Sequence, residues 1–314
     1  MKRAMRDAFI EELALRMRDD DSIFFLTADL GAPALDQLKA DFPDRFTNLG
    51  IAEQNLINVA TGLALENRKV YAYAIAPFVT MRAFEQIRNL ALLSQIRPIN
   101  VNIIGIGAGM SYVTSGPQHH ALEDISIIRT LPNIVLFSPS DLGLTREFVD
   151  YSLNNKCPKY IRLDGEPVGY LNDEAIISEG LREIITGKDS CIVATGHMVH
   201  TAIEASKKLS NVGYEVGVID LFMLKMTPTL KRDLTEFLRG YMQVFTLEEG
   251  FLGAGGVDSV VMGLSNDDNE GPLQVISMGL RDRYAFEVGN RTFLHNRAGI
   301  DVDGVVDTVV RNLS

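Results

Sequence analysis

Glu53 stands in NLGIAEQN (48–55), a segment with no other charge, which opens onto the apolar run LINVATGLAL (56–65). A carboxylate set among neutral residues can share a proton with a ligand nitrogen. At the opening of a helix it also serves as the negative charge that the macrodipole favours, and both readings stand. The stretch IGIGAGMSYVTSGPQHHALED (104–124) joins a strand-like run to a glycine-rich loop, a Gly116-Pro117 turn, paired histidines and a helix carrying Glu123 and Asp124. His119 and His120 have the chemistry of general acids or of donors to a ligand oxygen, and equally that of satisfied loop residues. Adjacent histidines point apart and no third ligand accompanies them, so they make a poor metal pair. The glycines lack the dinucleotide-binding spacing. In AIAPFVTMRAFEQIRN (74–89), Phe78 follows a proline after a strand and precedes a helix, as a core residue or as a stacking platform. His197, His200 and His295 have no partners in sequence.

These groups need elements to hold them. SIFFLTA (22–28), KVYAYA (69–74), INVNIIGIG (99–107), NIVLFSP (133–139) and KYIRLD (159–164) are short, apolar and rich in β-branched or aromatic residues, with helical patterns between them. That alternation predicts an α/β fold built on a mostly parallel sheet. From about residue 188 a second series of strand and helix patterns follows: SCIVATG, VHTAIEASKKL, YEVGVIDLF, RDLTEFLRG, MQVFTLEE and PLQVISMGL. Between the series, the turn-rich stretch 165–187 reads as a boundary, giving two α/β domains over 1–170 and 185–314.

Composition narrows the function classes. With 314 residues, 46% of them hydrophobic, the chain can bury a sizeable core. A net charge of -11 from dispersed acids repels a nucleic-acid backbone, so nucleic acid is not an expected partner. No apolar run is long enough for a membrane helix and the charged start MKRAMRDAF lacks a signal-peptide core, so a cytoplasmic protein is expected. Cys157 and Cys191 have no metal-ligand spacing, and Cys191 lies in a buried-strand pattern.

In order and at matching distances, ADL (28–30), FTNLGIAEQNLINVATGLAL (46–65), RAFEQIRN (82–89), GPQHHALEDISIIRTLPNI (116–134), PSD (139–141) and YIRLD (160–164) resemble the pyrimidine-binding domain of transketolases and deoxyxylulose-phosphate synthases. The remainder from about 188 resembles the family's C-terminal domain. The GDG motif and following asparagine, with which the family's other domain holds the cofactor diphosphate through Mg2+, do not occur here. The resemblance therefore implies one subunit of a split thiamine-diphosphate enzyme, with the Mg2+ ligands on an N-terminal diphosphate-binding partner. It further implies self-association into a dimer or a two-plus-two heterotetramer, and a small sugar substrate.

By the same resemblance, Glu53 is the glutamate that hydrogen-bonds the aminopyrimidine ring nitrogen and so promotes proton removal from the thiazolium carbon. Phe78 is the aromatic that stacks on the pyrimidine, Asp29 the acid near the cofactor at the subunit interface, and Ile75 a further cofactor contact. His119 faces the sugar hydroxyl and carbonyl oxygens, while Arg162 and Arg6 bind substrate phosphate through the planar guanidinium fork. Ser115 falls near the place of a substrate-binding aspartate. Gly107 stands where many transketolases carry a histidine, and Gly31, Ala32 and Pro33 replace a phosphate-binding serine. The implied activity is transfer of a two-carbon ketol unit from a ketose, or ketose phosphate, to an aldehyde. The alternatives are a 2-oxo acid decarboxylating enzyme, of the deoxyxylulose-phosphate synthase or pyruvate dehydrogenase beta type, and a non-catalytic scaffold.

Overall fold

A computed structural model describes residues 2–171, 177–264 and 273–313. The five apolar runs of the first series form parallel strands, and a sixth joins them. In spatial order they are Phe46–Asn48, Ile23–Thr27, Lys69–Ile75, Val101–Ile106, Lys159–Leu163 and Val135–Phe137. Every neighbouring pair is parallel. Helices cover such a sheet on both faces, which is why Val101–Ile106 and Lys159–Leu163 are buried along their whole length. Even Lys159 is fully buried, its ammonium donating to Asn100 Oδ1 at 2.9 Å and to the Cys157 carbonyl at 2.8 Å. The edge strand Phe46–Asn48 has no counterpart in the sequence reading, because it is three residues long and its last two are exposed.

Parallel strands all end on one side, and ligands of α/β sheets bind beyond those carboxyl ends. Here that edge carries Asp29, Asn48, Ile75, Gly107 and Asp164, each at or just past the end of its strand. Asn48 binds the edge together: its amide donates to Asp29 Oδ1 at 3.0 Å, and its carbonyl accepts from the backbone N–H of Asp29 at 3.1 Å and of Gly50 at 2.9 Å.

The chain divides into two compact units, Met1–Tyr112 with Gln118–Asn172, and Val113–Pro117 with Asp173–Ser314. Within the stretch read as the boundary, Pro167–Val168 pairs with Arg3–Ala4 in the first unit, residues 172–176 lie outside the described residues, and Leu181–Ile185 joins the second sheet. That second sheet orders its strands Val275–Leu280, Gln243–Phe251, Ser190–Ala194, Val216–Leu221 and Leu181–Ile185, the last running antiparallel.

The second unit contains a buried ionic cluster that the sequence does not signal. Glu249 accepts from Arg291 Nε at 2.8 Å and lies 2.6 Å from His295 Nε2, and the His197 ring lies tilted against that of His295 with centroids 5.9 Å apart. Burial pushes the Glu249 carboxyl up, but the charges of Arg291 and His295 outweigh it and hold the group well below the ordinary carboxylate range.

Candidate active site

Three elements of the first unit converge on a small polar and aromatic site. The helix Glu53–Leu65 begins at Glu53 itself, whose side chain is only 7% exposed. Its N-cap, Ala52, offers no side-chain acceptor, so the carboxylate is the charge at that helix start. The second element is Ala76–Arg82, which has a proline in its first turn and follows directly on the strand ending at Ile75. It takes up Phe78, correcting the sequence reading that placed this residue ahead of the helix. Phe78 and Arg82 are four residues apart on this helix and so share one face. The third element is the turn that ends at His119.

The contacts among them are specific. Arg82 Nη1 donates to Glu53 Oε1 at 2.8 Å, and the Arg82 guanidinium carbon lies 4.0 Å from the centre of the Phe78 ring. The His119 ring meets Phe78 edge-on, with centroids 5.0 Å apart and planes at 65°. Gln54 Nε2 donates to the Arg82 carbonyl at 3.1 Å, tying the two helices together. The site thus holds a planar, cationic hydrogen-bond donor between a buried carboxylate and an aromatic face. A protonated aminopyrimidine has the same attributes, so the residues present fit that half of thiamine diphosphate.

Ile75 and Asp29 lie at the carboxyl edge of the sheet. Ile75 is the half-buried last residue of its strand and caps the helix that carries Phe78. Asp29 is exposed, takes the left-handed backbone at φ 54 and is held there by Asn48. Asp is among the few residues that adopt this conformation readily. Arg6 is half-buried, donates from Nε to Asp7 Oδ1 at 2.8 Å and faces the phenols of Tyr73 and Tyr112. Ser115 is exposed on the turn Val113–Ser115, in the short stretch that groups with the second unit.

Arg162 lies on the strand Lys159–Leu163. It is buried, and its Nε and Nη2 donate to the two oxygens of Asp124 at 2.8 and 3.0 Å, with a further bond from Nη2 to the Ala121 carbonyl at 3.1 Å. Tyr160 donates to the same carboxylate at 2.7 Å. In this arrangement Arg162 braces the histidine-bearing loop against the sheet, through a carboxylate that already neutralises its charge.

The structure also explains the departure at Gly107. This residue has φ +89, and a Cβ there would run into the Tyr112 ring. A histidine side chain has no room beside Gly107, and a tyrosine fills the space instead. Tyr112, Asp124 and Arg82 are site residues that the sequence reading did not single out. For Arg82 a signal existed: a charge four residues after Phe78, a spacing that puts both on one face once the helix is started early enough to include Phe78. Among the described residues, no group of three or more His, Cys, Asp or Glu side chains is arranged to hold a metal ion, and no helix is long and apolar enough to cross a membrane.

Comparison with known proteins places the chain. Residues 1–166 match the family described as transketolase, pyrimidine binding domain, and residues 181–305 match transketolase, C-terminal domain. The chain is 32% identical over 269 residues to one of the subunits of the apulose-4-phosphate transketolase of Actinobacillus succinogenes, covering 85% of this chain and 84% of that protein. It is 30% identical over 297 residues to 1-deoxy-D-xylulose-5-phosphate synthase of Halothermothrix orenii, where the match takes in 93% of this chain but 45% of that one. Among solved structures, one described as a split gene transketolase, inactive beta4 tetramer, superposes with a TM-score of 0.85 at 32% identity, covering 98% of this chain and 97% of the other.

Proposed function

Because this chain belongs to the transketolase family, as its pyrimidine-binding and C-terminal domains, we propose that it is the subunit of a split, thiamine-diphosphate-dependent transketolase that contributes Glu53, Phe78 and His119 to the active site. The observation that carries this reading is the buried Glu53 carboxylate presenting a hydrogen-bond acceptor beside the ring face of Phe78. A second, diphosphate-binding subunit supplies the Mg2+ ligands, and a two-plus-two heterotetramer is the assembly that pairs two such sites.

When bound, thiamine diphosphate supplies the carbon nucleophile and the electron sink for cleavage of a ketose carbon–carbon bond. The chain's own residues set up that chemistry. Phe78 offers the flat face that fixes the plane of the pyrimidine. Glu53, buried and hydrogen-bonding in that plane, holds or returns a proton at the ring nitrogen. His119, fixed edge-on against Phe78, donates or relays a proton at a substrate oxygen. Arg162 and Asp124 keep the loop that carries His119 at its working distance. Tyr112 takes the place of a histidine beside Gly107, and Gly31, Ala32 and Pro33 replace a serine. The cofactor-facing residues thus match the family while the donor-facing ones differ, which points to a ketose other than the common sugar phosphates. Similarity to transketolase subunits named for unusual ketoses supports this.

The test is a screen of the reconstituted pair against ketoses, ketose phosphates and pyruvate, each with a panel of aldehydes. Two-carbon lengthening of the aldehyde with a ketose donor, and no carbon dioxide from pyruvate, is the expected result. Carbon dioxide release from pyruvate coupled to addition onto the aldehyde would overturn it in favour of a 2-oxo acid decarboxylating enzyme.

A further inference from the structure

The group that fills the Glu53 and Phe78 site belongs to the chain itself. Arg82 makes with these residues the two interactions that the pyrimidine is read to make: an in-plane hydrogen bond to Glu53 Oε1 at 2.8 Å, and a face-on approach to Phe78 with its guanidinium carbon 4.0 Å from the ring centre. A guanidinium is flat, cationic and a donor within its own plane. A protonated aminopyrimidine shares all three properties. The Phe78 face and the Glu53 oxygen cannot serve both at once.

We propose that Arg82 is an internal competitor for the pyrimidine site, occupying it in the cofactor-free subunit and leaving it when the cofactor ring enters. This rests on Glu53 and Phe78 being the pyrimidine's partners.

The two halves of the ion pair are built for unequal mobility. Glu53 is 7% exposed and fixed at the first residue of a long helix, whereas the Arg82 side chain is 48% exposed at the last residue of a short one. The Arg82 carbonyl is held by Gln54, so the backbone stays and the long side chain alone has to turn. Rotating it outward exposes a cation to water at a helix C-terminus, where positive charge is favoured. While it remains inward it gives a buried carboxylate a counter-charge, which spares the unassembled chain an unpaired buried anion. The cofactor must displace this contact, so its apparent affinity is lowered by the fraction of molecules in which the site is open. A half-exposed ion pair and a cation–π contact together close the site by roughly tenfold.

The experiment is calorimetric titration of thiamine diphosphate, at saturating Mg2+, into the reconstituted pair carrying wild-type chain, R82M, R82K or F78A. R82M is expected to tighten the Kd by roughly tenfold. R82K, which keeps the charge but loses the flat fork, should fall between R82M and wild type. It carries the same test should circular dichroism show that R82M folds poorly. F78A should weaken binding. If both Arg82 variants leave the Kd unchanged or weaken it while F78A weakens it, Arg82 is not a competitor and the proposal fails. If F78A has no effect, the pyrimidine lies elsewhere, and the proposal falls together with the site reading on which it rests.

Discussion

Glu53→Gln in the assembled enzyme lowers kcat by roughly a hundred- to ten-thousandfold, the range spanned by a positioned acid or base, with the cofactor still bound. Glutamine keeps the shape and the hydrogen-bonding oxygen but can neither hold nor return a proton. The loss therefore falls on turnover, and calorimetry of the same variant separates the two effects. The side chain is buried at a helix start beside Phe78, with a guanidinium as its neighbour. The substitution removes one charge and leaves the packing of that helix intact. Unchanged kcat would show that the carboxylate serves only the helix terminus, the plainer of the two readings its position allows.

Asp124→Ala is expected to destabilise the first unit by about 3 to 5 kcal/mol, read as a fall in the midpoint of urea unfolding. This substitution takes away the carboxylate to which two nitrogens of the buried Arg162 guanidinium donate, and it removes the acceptor of the Tyr160 hydroxyl. Removing both charges avoids that penalty. A D124L/R162M pair is therefore expected to recover the part of the loss due to the buried charge, because well-packed apolar groups replace a buried ion pair at little cost, while the loss of the Tyr160 acceptor remains. The pair also separates bracing from substrate binding. If Arg162 acts by holding the loop, the double variant stays folded but loses the placement of His119, and its deficit appears in kcat. A rise in KM for phosphorylated donors alone, with kcat preserved, would return Arg162 to direct phosphate binding.

The sheet architecture was legible because buried parallel strands leave uninterrupted apolar runs. IIGIG at 103–107 and YIRL at 160–163 mark central strands whatever their helices do. Strands that lack such burial left no trace. Phe46–Asn48 is mostly exposed, and Leu181–Ile185 is an antiparallel edge strand whose sequence, LREII, mixes charge with apolar residues. The site was legible as separate fragments whose order matched a family, and the sequence could not say what touched what. Asp124 and Arg162 are 38 residues apart in the chain and Glu249 and His295 are 46, so no local pattern links them. Arg82 differs, since helical spacing links it to Phe78 once the helix is begun at Ala76 and not after Phe78; what the sequence withheld was that start and the fact that the shared face meets Glu53.

The reading that unites these observations is that this chain owns only the pyrimidine half of a cofactor site. Its most direct test is calorimetric titration of thiamine diphosphate with Mg2+ into this chain alone, into its diphosphate-binding partner alone, and into the two mixed. Tight binding confined to the mixture is the predicted result. Equally tight binding by this chain alone would contradict it, because the diphosphate and metal would then be held by residues assigned here to the other subunit.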